Sequence, residues 1–282
     1  RYRGTGNDTS PTGLDAYFQL YVGGIVSVIT GDGYDYLTVG TGAVGDAWAH
    51  TVNSVSAANK VYCQTGTNNN GKTCDTTRGD PPAETFPISD ANIAAWKAEA
   101  AAGQIYNGNV SVGWAGTTTG PAKINGNLTV NGGGTVTLTG TLWVTGTITI
   151  TSGAGIRLAS SYGTGSGVMI TDSYITISGG GSFTGSGNPK SYPMLVSTSD
   201  CPQSPSCLGN NAISLSGGAG AVVLYSQNGT LFLSGGTSAK SLSGYMISLD
   251  NGASVTYDSG LANQNFSSGP SGGWDISTWT EI

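Results

Sequence analysis

Charge is what this chain has least of. Lys, Arg, Asp and Glu make up 9% of its 282 residues, with ten basic side chains against sixteen acidic ones. Ten cations spread over that length form no patch able to neutralise a phosphate backbone, which excludes nucleic acid as a partner. The same shortage excludes docking on an anionic lipid surface. Long apolar runs are also missing. Leu20–Ile29 is the best stretch; it is far short of the roughly 18 residues needed to cross a bilayer and is broken by Gly23 and Gly24. Histidine occurs once, as His50, with no Ser or Cys nucleophile motif around it and no zinc-type pairing with cysteine. Glycine strings are not followed by a Lys-Ser/Thr helix start, which removes a phosphate loop. No catalytic, cofactor or metal residue is therefore assigned. Arg1 is preceded by neither Met nor a signal-peptide apolar core, which reads as a processed or trimmed form.

What the chain has in abundance is glycine, 47 residues, with Ser, Thr and Asn filling the place of charge. Apolar residues still make up 37% and recur periodically, so the composition is not that of a disordered chain. No Gly-X-Y triplet persists, so it is not collagen-like.

The periodicity is clearest in Thr147–Phe183. Ile148 and Ile150 are followed six residues later by Ile156, and Ile175 and Ile177 six residues later by Phe183. Alternation of period 2 broken by small turn residues marks a short strand. The same phrase begins at Val110, Leu128, Ile213, Leu231 and Ile247, with Thr118 as the degenerate sixth residue of the Val110 copy. The base step between copies, about 18 residues, is that of a solenoid coil. The expected fold is all-β, a parallel β-helix of about seven coils, right-handed by the rule for parallel crossovers. Val112, Val130, Ile150, Ile177, Leu215, Leu233 and Leu249 should form an inward column. Ser111, Thr129, Thr149, Thr176, Ser214, Phe232 and Ser248 should face out. Corners such as Asn131–Gly134 and Ser178–Gly181 should supply positive φ. The two wide steps, from Ile148 to Ile175 and from Ile175 to Ile213, carry insertions. One is 159–167, read as a surface loop of small polar residues, and the other is 197–210.

Phe86–Gly103 is the one helical segment, centred on 89–102. Ser89 is a natural N-cap, Ile88 and Ile93 can staple, and Gly103 is a natural C′ terminator. Ile93, Trp96 and Ala100 form its apolar face, for packing on a flank or end of the solenoid. The expected organisation is a flexible arm at 1–13, an irregular β region at 14–85 that includes first coils, the helix at 86–103, the solenoid at 104–259 and a C-terminal cap at 260–282. Four cysteines fall in two local polar loops, Cys63 with Cys74 and Cys201 with Cys207, which suggests two disulfides and an oxidising compartment.

A polysaccharide-active β-helix would need two carboxylates across a groove. Asp172 and Asp200 follow strand ends in adjacent coils, and solvated turn positions are the plainer reading. Asp32 and Asp35 lack a calcium-loop ligand series and read as an Asx turn. Ice binding would need Thr-x-Thr ranks on every coil, yet Thr135, Thr137 and Thr139 face Gly155, Arg157 and Ala159 in the next one. Sequons occur at Asn7, Asn109, Asn127, Asn228 and Asn265, a frequency an Asn/Ser/Thr-rich chain produces by chance.

The helix FPISDANIAAWKAEAAAG leads into INGNLTV, TVTLTGTLWVTGTITI and SYPMLVSTSDC. AVVLYSQNGTLFLS and LANQNFSSGPSGGW follow. Over residues 46–282 this series resembles the β-solenoid ectodomain of bacterial type IV pilin-like (minor-pilin-like) surface proteins. The resemblance implies an extracellular or cell-surface location and an apolar pilin helix upstream. It also implies a structural or adhesive role in a pilus-like appendage, through self-association or contact with other surface or pilus subunits. Glycans are the alternative partner, in a polysaccharide-binding or polysaccharide-degrading β-helix.

Overall fold

The computed structural model describes residues 27–29, 37–39, 46–48, 51–53, 55–57, 59–79, 86, 88–202, 207–220, 223–249, 252–255, 267–269 and 272–273. From Gln104 to Val255 the described residues wind as a three-sided parallel β-solenoid. Side one stacks Gln104–Asn107, Ala122–Asn125, Leu142–Val144, Gly167–Thr171 and Pro193–Ser197. Side two stacks Val110–Val112, Leu128–Val130, Ile148–Ile150, Ile175–Ile177 and Ile213–Leu215. In the last two coils both sides run through one long strand, Val223–Leu233 and then Ser241–Leu249, with a register shift between Ser226 and Thr230. That continuity joins sides one and two into a 12-stranded parallel sheet. Side three is separate: a four-stranded sheet of Thr117–Thr119, Thr135–Leu138, Gly155–Leu158 and Ser182–Thr184, then Ser238–Ala239 against Ser254–Val255.

The register on side two is the one the repeat predicts. Ser111, Thr129, Thr149, Thr176, Ser214, Phe232 and Ser248 are successive partners in one outward row. Between them Val130, Ile150, Ile177, Leu215 and Leu233 point inward, each at 0% exposure. Burying one such aliphatic side chain stabilises by about 1.5–3 kcal/mol, so stacking the coils supplies the core that no single coil has. The glycine pair Gly132 (φ +58) and Gly133 (φ +74) turns the corner between sides two and three, where a Cβ would strain the backbone. On side three Val136, Ile156 and Phe183 align as expected. In the first coil Val136 pairs with Thr117 rather than Thr118, because that corner is one residue shorter.

Side one is built differently. Gly167–Thr171 and Pro193–Ser197 are buried along their whole length, as strands covered on both faces must be. Met169, Leu195 and Leu224 join the solenoid core. Val168, Ile170, Met194, Val196, Val223 and Tyr225 face the other way and pack with Ile88, Ile93 and Trp96. The covering element is α1, Asp90–Ala102. Its 13 residues give about 20 Å of helix, matching four coil spacings of about 4.8 Å. It starts at the sixth coil, where Gln227 Nε2 donates to Asp90 at 2.5 Å. It ends at the second, where Gly103 abuts Pro121.

Ser89 caps the helix through Asn92 N–H at 3.2 Å, and Ile88 and Ile93 are both buried beside it. Gly103 does not end the helix in the left-handed conformation expected of it, since its φ is −88. Glycine is needed there because a Cβ would sit 2.1 Å from the Pro121 carbonyl oxygen. The 159–167 insertion also departs from what its composition leads one to expect. It is not wholly a surface loop: Tyr162, on the 3₁₀ turn Ser160–Tyr162, folds back into the core at 5% exposure.

Upstream of the helix the chain forms parallel coils whose step varies, the last one being shorter than in the main solenoid. Thr51–Asn53 pairs with Thr65–Thr67 and, at the same offset, Ala47–Trp48 with Val61–Tyr62. Buried Asn69 accepts from Val55 N–H at 3.1 Å and donates to Val52 O at 2.8 Å, taking an inward place held elsewhere by an aliphatic. The 1–13 arm, Asp32, Asp35, His50 and most of 260–282 lie outside the described residues. Within that last segment Ser267–Gly269 and Gly272–Gly273 pair antiparallel.

Candidate functional site

Both cysteine pairs expected from the sequence are closed. Cys63–Cys74 has a Cα–Cα distance of 5.0 Å and Cys201–Cys207 one of 5.4 Å. Cys201, Cys207 and Ala212 form their own small buried cluster with Tyr174 against it, so the second bridge pins the 197–210 insertion to the corner it leaves. Replacing Cys201 and Cys207 with Ser is expected to remove about 2–3 kcal/mol of stability, as for a short closed loop. Chemical denaturation of the variant against the oxidised parent measures it; an unchanged midpoint contradicts the role.

Asp172 is not the solvated turn residue the sequence suggests. Its carboxylate pairs with Lys97 Nζ at 2.5 Å, accepts from Trp143 Nε1 at 3.0 Å and from the Thr198 hydroxyl at 3.4 Å. Lys123 Nζ stands 4.0 Å above the Trp143 ring and Lys97 Nζ 5.6 Å from it. The group ties the middle of α1 to coils two through five. Its alternating charges and aromatic ring are spent on one another, which is the chemistry of a fastening. Asp200 also has an interaction partner.

Beside that fastening lies a groove of about 240 Å³ between α1 and the fifth and sixth coils. Asp90, Ile93, Ala94, Lys97, Thr198, Gln227 and Asn228 line it. It has the size for a single sugar ring. One carboxylate and one ammonium are present, and none of those lining residues is aromatic. Neither a two-carboxylate constellation nor a stacking platform is assembled at this groove. Sequence reasoning misses it, because it exists only once α1 is laid across side one.

The Thr-x-Thr rank breaks as expected: Thr135 pairs with Gly155 and Thr137 with Arg157. Two sequon asparagines are used structurally. Asn109 Oδ1 accepts from Asn127 N–H at 2.9 Å, and Asn127 Oδ1 from Thr147 N–H at 2.8 Å, a ladder along the corner between sides one and two. Asn228 is exposed at the groove rim; Asn7 and Asn265 lie outside the described residues.

On the upstream coils Trp48 and Tyr62 are register partners facing out. Arg78 lies 3.9 Å over the Trp48 ring and 5.1 Å from Tyr62, and Lys60 is 5.5 Å from Tyr62. Asp75 completes the row. Thr77, through its hydroxyl and its N–H, and then Lys60 pull the Asp75 carboxyl down to about 2. The folded value lies below the ordinary 3.8, so this contribution to stability is present above about pH 4. It is lost as pH falls through about 2. A carboxyl NMR titration should place the Asp75 midpoint near 2; a midpoint near 4 contradicts the Thr77 clamp.

Among the described residues no group of three or more His, Cys, Asp and Glu could hold a metal, and no helix is long and apolar enough to cross a membrane. Compared with protein-family models, with curated proteins and with solved structures, the chain matches none.

Proposed function

We propose that the chain is a non-enzymatic extracellular β-solenoid that serves as a structural or adhesive surface rod, the displayed ectodomain or subunit of a pilus-like appendage. The observation that carries this reading is the architecture itself. Seven coils stack an aliphatic column into a stiff rod whose free side presents a row of hydroxyls interrupted at Phe232. Two closed disulfides, one of them holding the 197–210 insertion, fit an oxidising, extracellular setting. The resemblance to pilin-like ectodomains points the same way and supplies the appendage.

Immunogold labelling of intact producing cells tests it. Label on the cell surface or on filaments is expected. Signal confined to the cytoplasm of permeabilised cells would sink the reading.

A second reading, glycan binding, draws on the sugar-sized groove under α1. Thr198→Trp would fill that groove, and any glycan bound there should be lost with it. A glycan signal indifferent to this change would remove the groove as its site.

A further inference from the structure

The first coil of the solenoid is bare. From Gln104 to Thr119 only Val112 is buried, and Ile105 and Trp114 stand 52% and 86% exposed. Its three strands are the terminal ones: Gln104–Asn107 and Val110–Val112 close the two ends of the 12-stranded sheet, and Thr117–Thr119 ends the four-stranded one. Each strand therefore presents a row of backbone N–H and C=O groups with no strand beside it among the described residues. Such an edge is a template for another chain, and proteins usually blunt it with charge, proline, a bulge or a covering element. Here no Asp, Glu, Lys or Arg occurs anywhere between Gln104 and Ala122, and α1 lies along the flank without covering the end.

The opposite end differs. Ser27–Ile29, from the chain's own upstream coils, lies alongside the last long strand, Ser241–Leu249. The edge that head-to-tail growth would need as its acceptor thus already has a neighbour.

We propose that the bare first coil docks a second copy of this chain, head to head. A two-fold axis through the middle of Val110–Val112 sets that strand antiparallel to its own copy. The same axis brings Gln104–Asn107 of each protomer against Thr117–Thr119 of the other. The interface is isologous and closes at two copies. An uncharged edge meets itself without repulsion, although the chain as a whole carries a net charge of −6, and it offers a charged partner nothing to pair with. Docking covers Ile105, Trp114 and the half-buried Tyr106 and Val110, and gives the orphan edge groups partners. The inference rests on the fold and not on the surface-rod reading, so either can fail alone.

The test uses the full chain with its disulfides intact. Ser111 sits at the centre of the proposed two-fold, and all four native cysteines are paired. Ser111→Cys therefore adds one thiol, placed opposite its own copy. Sedimentation of the parent should show a concentration-dependent doubling of mass, and Ser111→Cys should give a covalent dimer under non-reducing conditions. Ile105→Lys with Thr118→Lys, both at exposed positions, should raise the dimer dissociation constant at least about tenfold. Three results would overturn the proposal. One is a parent that stays monomeric at hundreds of micromolar. Another is association in long chains that leaves Ser111→Cys uncrosslinked, meaning head-to-tail growth. The third is slow amide exchange of residues 104–119 in a proven monomer, meaning that another part of this chain covers the end.

Discussion

Replacing Trp96 with Ala is expected to lower the unfolding free energy by about 3–5 kcal/mol, the largest loss of any single change on α1. Trp96 is fully buried and central to the cluster that joins the helix to Val168, Ile170, Met194, Val196, Val223 and Tyr225. Removing the indole leaves a cavity between two rigid elements that cannot collapse onto each other, because the coils are fixed by their stacking and α1 by its ends. Those ends are the Asp90–Gln227 hydrogen bond and the tight Gly103–Pro121 approach. The indole Nε1 is buried without a hydrogen-bond partner, so Trp96→Phe gives up some volume but also relieves an unsatisfied donor. It should cost no more than about 1.5 kcal/mol. Denaturant midpoints for the two variants separate these effects. Equal losses would show that the hydrogen-bonding face of the ring matters more than its bulk; a negligible loss for Trp96→Ala would show that α1 is not anchored there.

The second large effect is a contrast between neighbours. Ile150→Asp puts a carboxylate in the inward column at a fully buried site and is expected to cost at least about 4–5 kcal/mol, enough to unfold a domain of ordinary stability. Thr149→Asp, one residue earlier, changes a half-exposed member of the outward row and should fall within about 0.5 kcal/mol of the parent. Circular dichroism during thermal unfolding reads both. The contrast follows from the pleat alone, since adjacent side chains face opposite ways. A reversed order would move the core to the other face.

The alternation on side two is legible in the sequence because each of its strands is short, with one face in water. Ile-Thr-Ile and Leu-Thr-Val are the simplest pattern a half-buried strand can make, and their spacing reports the coil directly. Side one is harder to read. Val168–Ile170 and Met194–Val196 are apolar on both faces, which shows that something covers them but not what. Once the period is applied, their outward residues Ile170, Val196 and Tyr225 stand in one row, and the one helix read from the sequence is the natural cover. The upstream coils escape a search for apolar repeats because their step is irregular and their inward column is interrupted. Val52 pairs with Gly66, and Asn69 holds the place of an aliphatic. Tyr162 is hidden for the opposite reason: one aromatic outweighs the small residues around it when a hydrophobic column lies within reach. The role of Asp172 depends on Lys97, which sits on an element far away in sequence, and no local pattern announces that pairing.

Parallel stacking of the coils is tested most directly by distances along the outward row. Ser111, Ser214 and Ser248 occupy the first, fifth and seventh places in that row. At about 4.8 Å per strand, Ser111 and Ser214 are about 19 Å apart and Ser111 and Ser248 about 29 Å. Spin labels on cysteines introduced at those positions, in labelled chains diluted with excess unlabelled parent and read in pairs by double electron–electron resonance, should show narrow distributions whose centres differ by about 10 Å. Centres that coincide, or a longer distance for Ser214 than for Ser248, would contradict a solenoid and require another fold.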